Sequence, residues 1–329
     1  MKIKDFFIDM FKGTALGLGA LPGVSAGTSG IIVDIYDKLI TNIANLKKQF
    51  GKSFLALIPI GIGWVGATIL LMWAQGKTWS YIPFIIVCVC AGFTIGGLPV
   101  ILRELNGHKI NKYDIIRMII GFVVAAGIGV LSVLAYVYRW FDLSSAFLAP
   151  NDNIYIYFVV FLVGLFAAIA CLIPGISGTM IIFIFGIYYP LIGLYSGPNS
   201  MLRNHDRVGT GLILTAILLV GAIVGFLIVS KLMKTLLEKK KTQTYSAVLG
   251  FVIGSIVSMF VSNQIWGLYN PDFDKDPYVT EPAFKDIARA PWQYAVGAVL
   301  LVVVAIGTYF IIKKFVFDKQ KKEPKEIEQ

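Results

Sequence analysis

The chain has 329 residues, 57% of them hydrophobic and 15% charged, with a mean hydropathy of +0.76 and a formal net charge of +10. Several apolar runs approach the ~20 residues that span a bilayer, which excludes an ordinary water-soluble domain and reads as an all-α polytopic membrane protein. In a soluble domain such a basic balance would suggest nucleic acid; here lysines and arginines flank apolar runs, so membrane orientation and anionic headgroups account for it.

In chain order, a Gly-rich broken segment covers about 5–42, and continuous spans follow at about 53–75, 81–102 and 114–138. A second broken segment covers about 154–195, with continuous spans at about 209–231, 245–262 and 292–313. This divides the chain into 1–150, 151–315 and a solvated tail at 316–329. Asp5 and Asp9 interrupt any signal-peptide core, so no cleavage is expected. Cys88, Cys90 and Cys171 lie in apolar runs without a Cys-x-x-Cys spacing and read as small buried residues, neither disulfide nor metal ligands. The acidic connection at about 263–291 lacks the glycine and glutamate of a calcium loop and reads as an outward-facing loop or lid. Trp79, Tyr81, Trp140 and Trp292, near span ends, read as interfacial belts.

The two broken segments are copies of one pattern. Leu21-Pro22-Gly23-Val24-Ser25-Ala26-Gly27-Thr28-Ser29-Gly30, running on to Ile35-Tyr36, aligns without a gap with Ile173-Pro174-Gly175-Ile176-Ser177-Gly178-Thr179, running on to Ile187-Tyr188, at a shift of 152 residues. Proline removes a backbone donor and glycine adds backbone freedom, so each helix should break there. Amides freed in a bilayer need partners from neighbouring protein, a water-filled cavity or a ligand. A weaker echo pairs Gly92-Phe93-Thr94-Ile95-Gly96 with Gly250-Phe251-Val252-Ile253-Gly254.

Charge decides between crossing and turning back. If both broken segments are re-entrant and the N-terminus is cytoplasmic, 22 of the 29 lysines and arginines fall inside, with both termini cytoplasmic. If instead the first segment crosses once and only the second turns back, 10 of the 29 do. Each half is then a re-entrant hairpin plus three crossings. Three is odd, so the halves are inverted repeats, as in many secondary transporters.

On Pro22-Gly23-Val24-Ser25-Ala26-Gly27-Thr28, Ile35-Tyr36, Gly92-Phe93 and Pro174-Gly175-Ile176-Ser177-Gly178-Thr179, the chain resembles the bacterial undecaprenyl-phosphate translocases over nearly its whole length. It departs from their pattern at Ala26 and Asp34, where glycine is usual. The resemblance implies a protein of the bacterial cytoplasmic membrane that returns the polyprenyl phosphate carrier from the outer to the cytoplasmic leaflet for reuse in cell-wall synthesis. It implies no cofactor.

Only the phosphate of such a substrate needs a polar path through hydrocarbon. A half-helix N-terminus offers unpaired amides and roughly +0.5 charge, and Ser25, Thr28, Ser29, Ser177 and Thr179 add hydroxyl donors. The candidate site is therefore Pro22, Gly23, Ser25, Gly27, Thr28, Ser29, Pro174, Gly175, Ser177, Gly178 and Thr179. Gly19-x-x-x-Gly23-x-x-x-Gly27 keeps one face small for a neighbouring helix or lipid chain. Arg103, Arg117, Arg203 and Arg207 are candidate headgroup contacts, with interfacial anchoring the alternative. Asp34 is a candidate for coupling to a proton or cation.

A lipid-phosphate phosphatase would share the substrate but needs a nucleophile and a placed acid or base. His108 and His205, the two histidines of the chain, fall in loops assigned to opposite faces, which disfavours that chemistry. An ion-coupled transporter of a small anion or solute is the alternative, because it would use the same broken helices. A purely structural scaffold leaves the paired motifs without a purpose. Membrane lipids are the implied surroundings, and the sequence leaves the oligomeric state open.

Overall fold

A computed structural model describes residues 3–21, 23–78, 81–138, 140, 143, 154–188, 191, 208–261 and 290–314. Pro22, Trp79, Arg203, His205, Arg207, most of the 263–291 connection and the 316–329 tail lie outside the described residues. Among the described residues the fold is all-helical, without strands.

The first broken segment becomes α1 (Ile3–Leu16), a 3-10 turn (Gly17–Ala20), α2 (Ala26–Ile32) and α3 (Tyr36–Asn45). Long helices α4 (Phe50–Thr78), α5 (Pro83–Glu104) and α6 (Lys112–Val137) follow. The second broken segment gives α7 (Ile154–Leu172) and α8 (Gly178–Ile184), then α9 (Val208–Lys239), α10 (Lys241–Phe260) and α11 (Pro291–Ile312). All six expected continuous spans are present, α9 running eight residues past its expected end. Among the described residues seven helices are long and apolar enough to cross a membrane; the seventh is α7, 19 residues, which the sequence reading placed inside a broken segment. At 1.5 Å per residue α7 is about 28 Å long. Its counterpart α1 has 14 residues and carries Asp5, Asp9 and Lys12.

Proline alone does not end a helix here. Pro59 and Pro99 sit inside continuous α4 and α5. The second break needs the glycine after its proline: Gly175 takes φ +86°, and Gly23 in the first break takes φ +84°. A side chain at that φ is strained.

The backbone repeats as the sequence does. α2 and α8 are seven residues each and offset by the same 152 positions. Each ends in a left-handed residue, Asp34 at φ +56° and Gly186 at φ +70°. The bonds that close the two ends match, with Ile35 N–H on Gly30 O at 2.9 Å and Ile187 N–H on Ile182 O at 3.1 Å. The first copy doubles back on itself in antiparallel order. Asp9 of α1 pairs with Lys38 of α3, and Lys12 of α1 donates to the Asp34 carbonyl at 2.7 Å.

Packing between helices follows the echo around Gly92 and Gly250. In each half the first long helix lies on the first arm of the broken segment, α4 on α1 and α9 on α7. The last helix of each half packs on the middle helix of the other, α6 on α10 and α11 on α5. Gly92 and Gly96 rest against the backbone of α11 at Leu301 and Ala305, and Gly250 and Gly254 against that of α6 at Met118 and Phe122. The absent side chains let the helix axes approach closely.

Candidate functional site

The two Pro-Gly-x-Ser copies meet. Gly23 N–H donates to Ser177 Oγ at 3.2 Å, and Gly175 N–H donates to Thr28 Oγ1 at 2.7 Å. Ser25, Thr28, Ser29, Pro174, Gly175, Ser177 and Gly178 are all buried, and Thr179 partly so.

Counting the backbone groups freed by the second break explains this arrangement. In an uninterrupted helix Gly175 N–H would bond Cys171 O, and Ile176 N–H would bond Leu172 O. Gly175 N–H instead turns to Thr28, and Ile176 N–H turns to Ile173 O at 3.1 Å. The released carbonyls are taken up by the first copy. Ser25 Oγ lies 3.2 Å from Cys171 O and 2.9 Å from Ile173 O, and the Tyr36 phenol donates to Leu172 O at 2.7 Å. Three side chains of the first copy therefore satisfy what the second break exposes. An unpaired buried polar group would otherwise leave a penalty of roughly 1–3 kcal/mol each.

The copies use their serines differently. Ser25 caps α2, its Oγ accepting from Thr28 N–H at 3.4 Å. Ser177 caps nothing in α8; it shares a 2.7 Å hydrogen bond with the Thr179 hydroxyl and faces Gly23. Ser29 donates back to Ser25 O at 3.2 Å. Gly27 lies against Leu172 O, where a Cβ would come within 2.5 Å, so its small size is what allows the crossing. Both left-handed turns rest on α10, Gly23 against the Met259 side chain and Gly175 against the Phe251–Val252 backbone. α2 and α8 have only two turns each. Their summed dipoles are correspondingly small, so individual N–H and hydroxyl groups matter more than a helix end charge.

The charged candidates among the described residues, Asp34, Arg103 and Arg117, stand apart from this crossing. Asp34 is exposed, 63% for its side chain, and its carboxylate lies 3.6 Å from Lys12 Nζ. Arg117 is bound to Asp114 at 2.7 Å, beside His108 at 2.9 Å, within the capping box that starts α6. Arg103 is exposed in the last turn of α5. Sequence reasoning did not single out Tyr36, Asp9 or Lys38. Tyr36 carried a signal nonetheless, since Ile35-Tyr36 recurs as Ile187-Tyr188.

Comparison with known proteins agrees with the motifs. The profile of the VCA0040-like family, described as undecaprenyl phosphate translocase-like, matches residues 18–272. A protein of Staphylococcus aureus named polyprenyl-phosphate transporter is 30% identical over 265 residues, covering 77% of this chain and 86% of that one. A protein of the same name from Vibrio cholerae is 25% identical over 271 residues, covering 78% of each. No solved structure matches. With seven span-length apolar helices among the described residues, two crossed Pro-Gly-x-Ser breaks and a profile match over most of its length, the chain is a multi-pass membrane protein that belongs to the undecaprenyl phosphate translocase-like family.

Proposed function

We propose that the protein carries undecaprenyl phosphate across the bacterial cytoplasmic membrane, from the outer to the cytoplasmic leaflet, for reuse in cell-wall polymer synthesis. The observation that carries this reading is the crossing itself: two glycine amides and the hydroxyls of Ser25, Thr28, Ser177 and Thr179 converge inside the helical bundle. The names of the relatives point the same way.

In the conformation described here each glycine amide is given to a hydroxyl of the other copy. A phosphate oxygen is a stronger acceptor than a hydroxyl, because hydrogen bonds to charged groups contribute about 1.5–3 kcal/mol against 0.5–1.5 for neutral pairs. As the hairpins part, the headgroup takes the Gly23 and Gly175 amides, and the released Thr28 and Ser177 hydroxyls turn from accepting to donating. The polyprenyl tail stays in lipid throughout. Pro22 and Pro174 break the helices, Gly27 and Gly178 admit close approach, and Ser29 steadies the Ser25 carbonyl. Arg103, Arg117, Arg203 and Arg207 attract headgroups at the two surfaces, and Asp34 takes the coupling proton or cation.

The halves 1–150 and 151–315 act as inverted repeats, each with a re-entrant hairpin, and both termini face the cytoplasm. The antiparallel contacts of Asp9 with Lys38 and of Lys12 with Asp34 favour a first segment that turns back, because residues 9 and 38 then lie on one face. The lysine and arginine distribution favours the same orientation. A cysteine placed at position 48 is therefore labelled from the cytoplasmic side only. Labelling there from outside intact cells would overturn the re-entrant topology.

Proteoliposomes test transport directly. Polyprenyl phosphate loaded into one leaflet should reach the other only with the intact protein, and without accompanying phosphate or chloride flux. Anion flux without lipid movement would overturn this reading in favour of a small-anion transporter.

A further inference from the structure

We propose that Tyr36 is a positioning residue for transport: its phenol sets where the second break presents the Gly175 amide and the Ser177 hydroxyl. The inference rests on the headgroup reading given above. Leu172 closes α7, and its carbonyl loses its helical partner because Ile176 N–H turns to Ile173 O. Tyr36, 2% exposed, restores that partner from 136 positions away, at 2.7 Å. The Gly27 backbone abuts the same carbonyl. Leu172 O is thus held between the phenol and the first copy's main chain, three residues before Gly175.

Tyr36 also begins α3, in which Lys38 binds Asp9 of α1. The phenol therefore joins the ion-paired base of the first hairpin to the turn of the second. A shift of that base relative to α7 must either carry Leu172 with it or break this bond. The equivalent Tyr188 has its ring stacked on Phe183 of its own hairpin, at 3.9 Å between centroids. The ring of a tyrosine at this position can thus pack within its own copy, and the Tyr36 hydroxyl reaches across to the other.

The test uses the full chain with Cys88→Ala and Cys90→Ala, which leaves Cys171, next to Leu172, as the sole thiol. Maleimide labelling of Cys171 reads the hold on the end of α7, and binding of a short-chain polyprenyl phosphate reads the site. Tyr36→Phe removes only the hydroxyl. It should speed labelling and weaken binding, each by roughly five- to a hundred-fold, the range spanned by one lost buried hydrogen bond. Parental labelling together with parental binding overturns the proposal. Faster labelling with parental binding also overturns it, because Tyr36 would then be a structural prop alone. A parent protein that does not bind polyprenyl phosphate overturns the headgroup reading itself, and this inference with it. Should Tyr36→Phe fail to fold, 3-fluorotyrosine installed at position 36 keeps the hydroxyl and makes it a stronger donor. Labelling should then slow and binding tighten, and no change in either overturns the proposal.

Discussion

The two hairpin copies share a backbone and differ in chemistry. At the base of the first stand Asp9, Lys12, Asp34 and Lys38; the equivalent positions in the second are Phe161, Gly164, Gly186 and Pro190. One base is held by ion pairs, and the other has no charge with which to form them. The capping is unequal as well. Ser25, Thr28 and Tyr36 of the first copy serve the second break, and Ser177 of the second reaches back to the Gly23 amide. Equal backbone geometry thus carries different side-chain chemistry in the two copies.

The sharpest way to break this comparison is at the two left-handed glycines. Gly175→Ala combines an unfavourable φ with a clash against the α10 backbone; Gly23→Ala shares that φ, but its Cβ clashes first with the Cγ of buried Met259, a side-chain rather than a main-chain atom. Thermal unfolding in detergent should show Gly175→Ala destabilised by about 3 kcal/mol or more and Gly23→Ala by about 1–2. Equal losses would mean that α10 supports both turns alike. Next come the serines. Ser25→Ala removes one hydroxyl donor shared by Cys171 O and Ile173 O, the latter keeping Ile176 N–H, together with a helix cap, and should lower stability by about 2–3 kcal/mol, Ser177→Ala by about 1. Both should weaken headgroup binding by roughly ten- to a hundred-fold, non-additively in a double-mutant cycle if they share one ligand.

The ion-paired base gives smaller effects. Lys38→Ala leaves Asp9, 8% exposed in its side chain, without its counter-ion. Because Lys38 itself is 41% exposed, the loss should be about 1–3 kcal/mol rather than that of a fully buried pair. Phe161→Ala at the equivalent position should lose packing without any dependence on salt. The smallest effect belongs to Asp34→Gly. Relief of the left-handed strain and loss of an exposed pair with Lys12 oppose each other, so stability should change by less than about 1 kcal/mol. If Asp34 couples transport to a proton or cation, Asp34→Asn should remove the pH or cation dependence of flux while the protein still inserts.

Much of this was legible from local pattern. The six long spans followed from apolar length, and both breaks from Pro-Gly within apolar runs. The need for partners at the breaks followed from the absence of water in the bilayer core. Which partners could not be read, because Ser25, Thr28 and Tyr36 reach groups 136 to 148 residues away. The hydroxyls were read as ligand donors. In this conformation those of Ser25, Thr28 and Ser177 satisfy the other copy's backbone, which a repeat in sequence cannot reveal. The sequence also marked α7 as part of a broken segment because Pro174-Gly175 ends it, although its 19 apolar residues are enough to span. The Asp9–Lys38 pair was hidden because Asp9 looked like no more than an interruption of a signal-peptide core.

The exchanged last helices bear on how the chain is made. α6 packs on α10, and α5 waits for α11. During synthesis the first half therefore enters the membrane with Gly92 and Gly96 of α5 facing lipid, and they are covered only when the final helix arrives. A ribosome that stops before residue 291 leaves a product with every motif residue present but one seam open. Closure of that seam is thus tied to completion of translation, and a cell's membrane proteases would meet the truncated chain as an unsealed bundle.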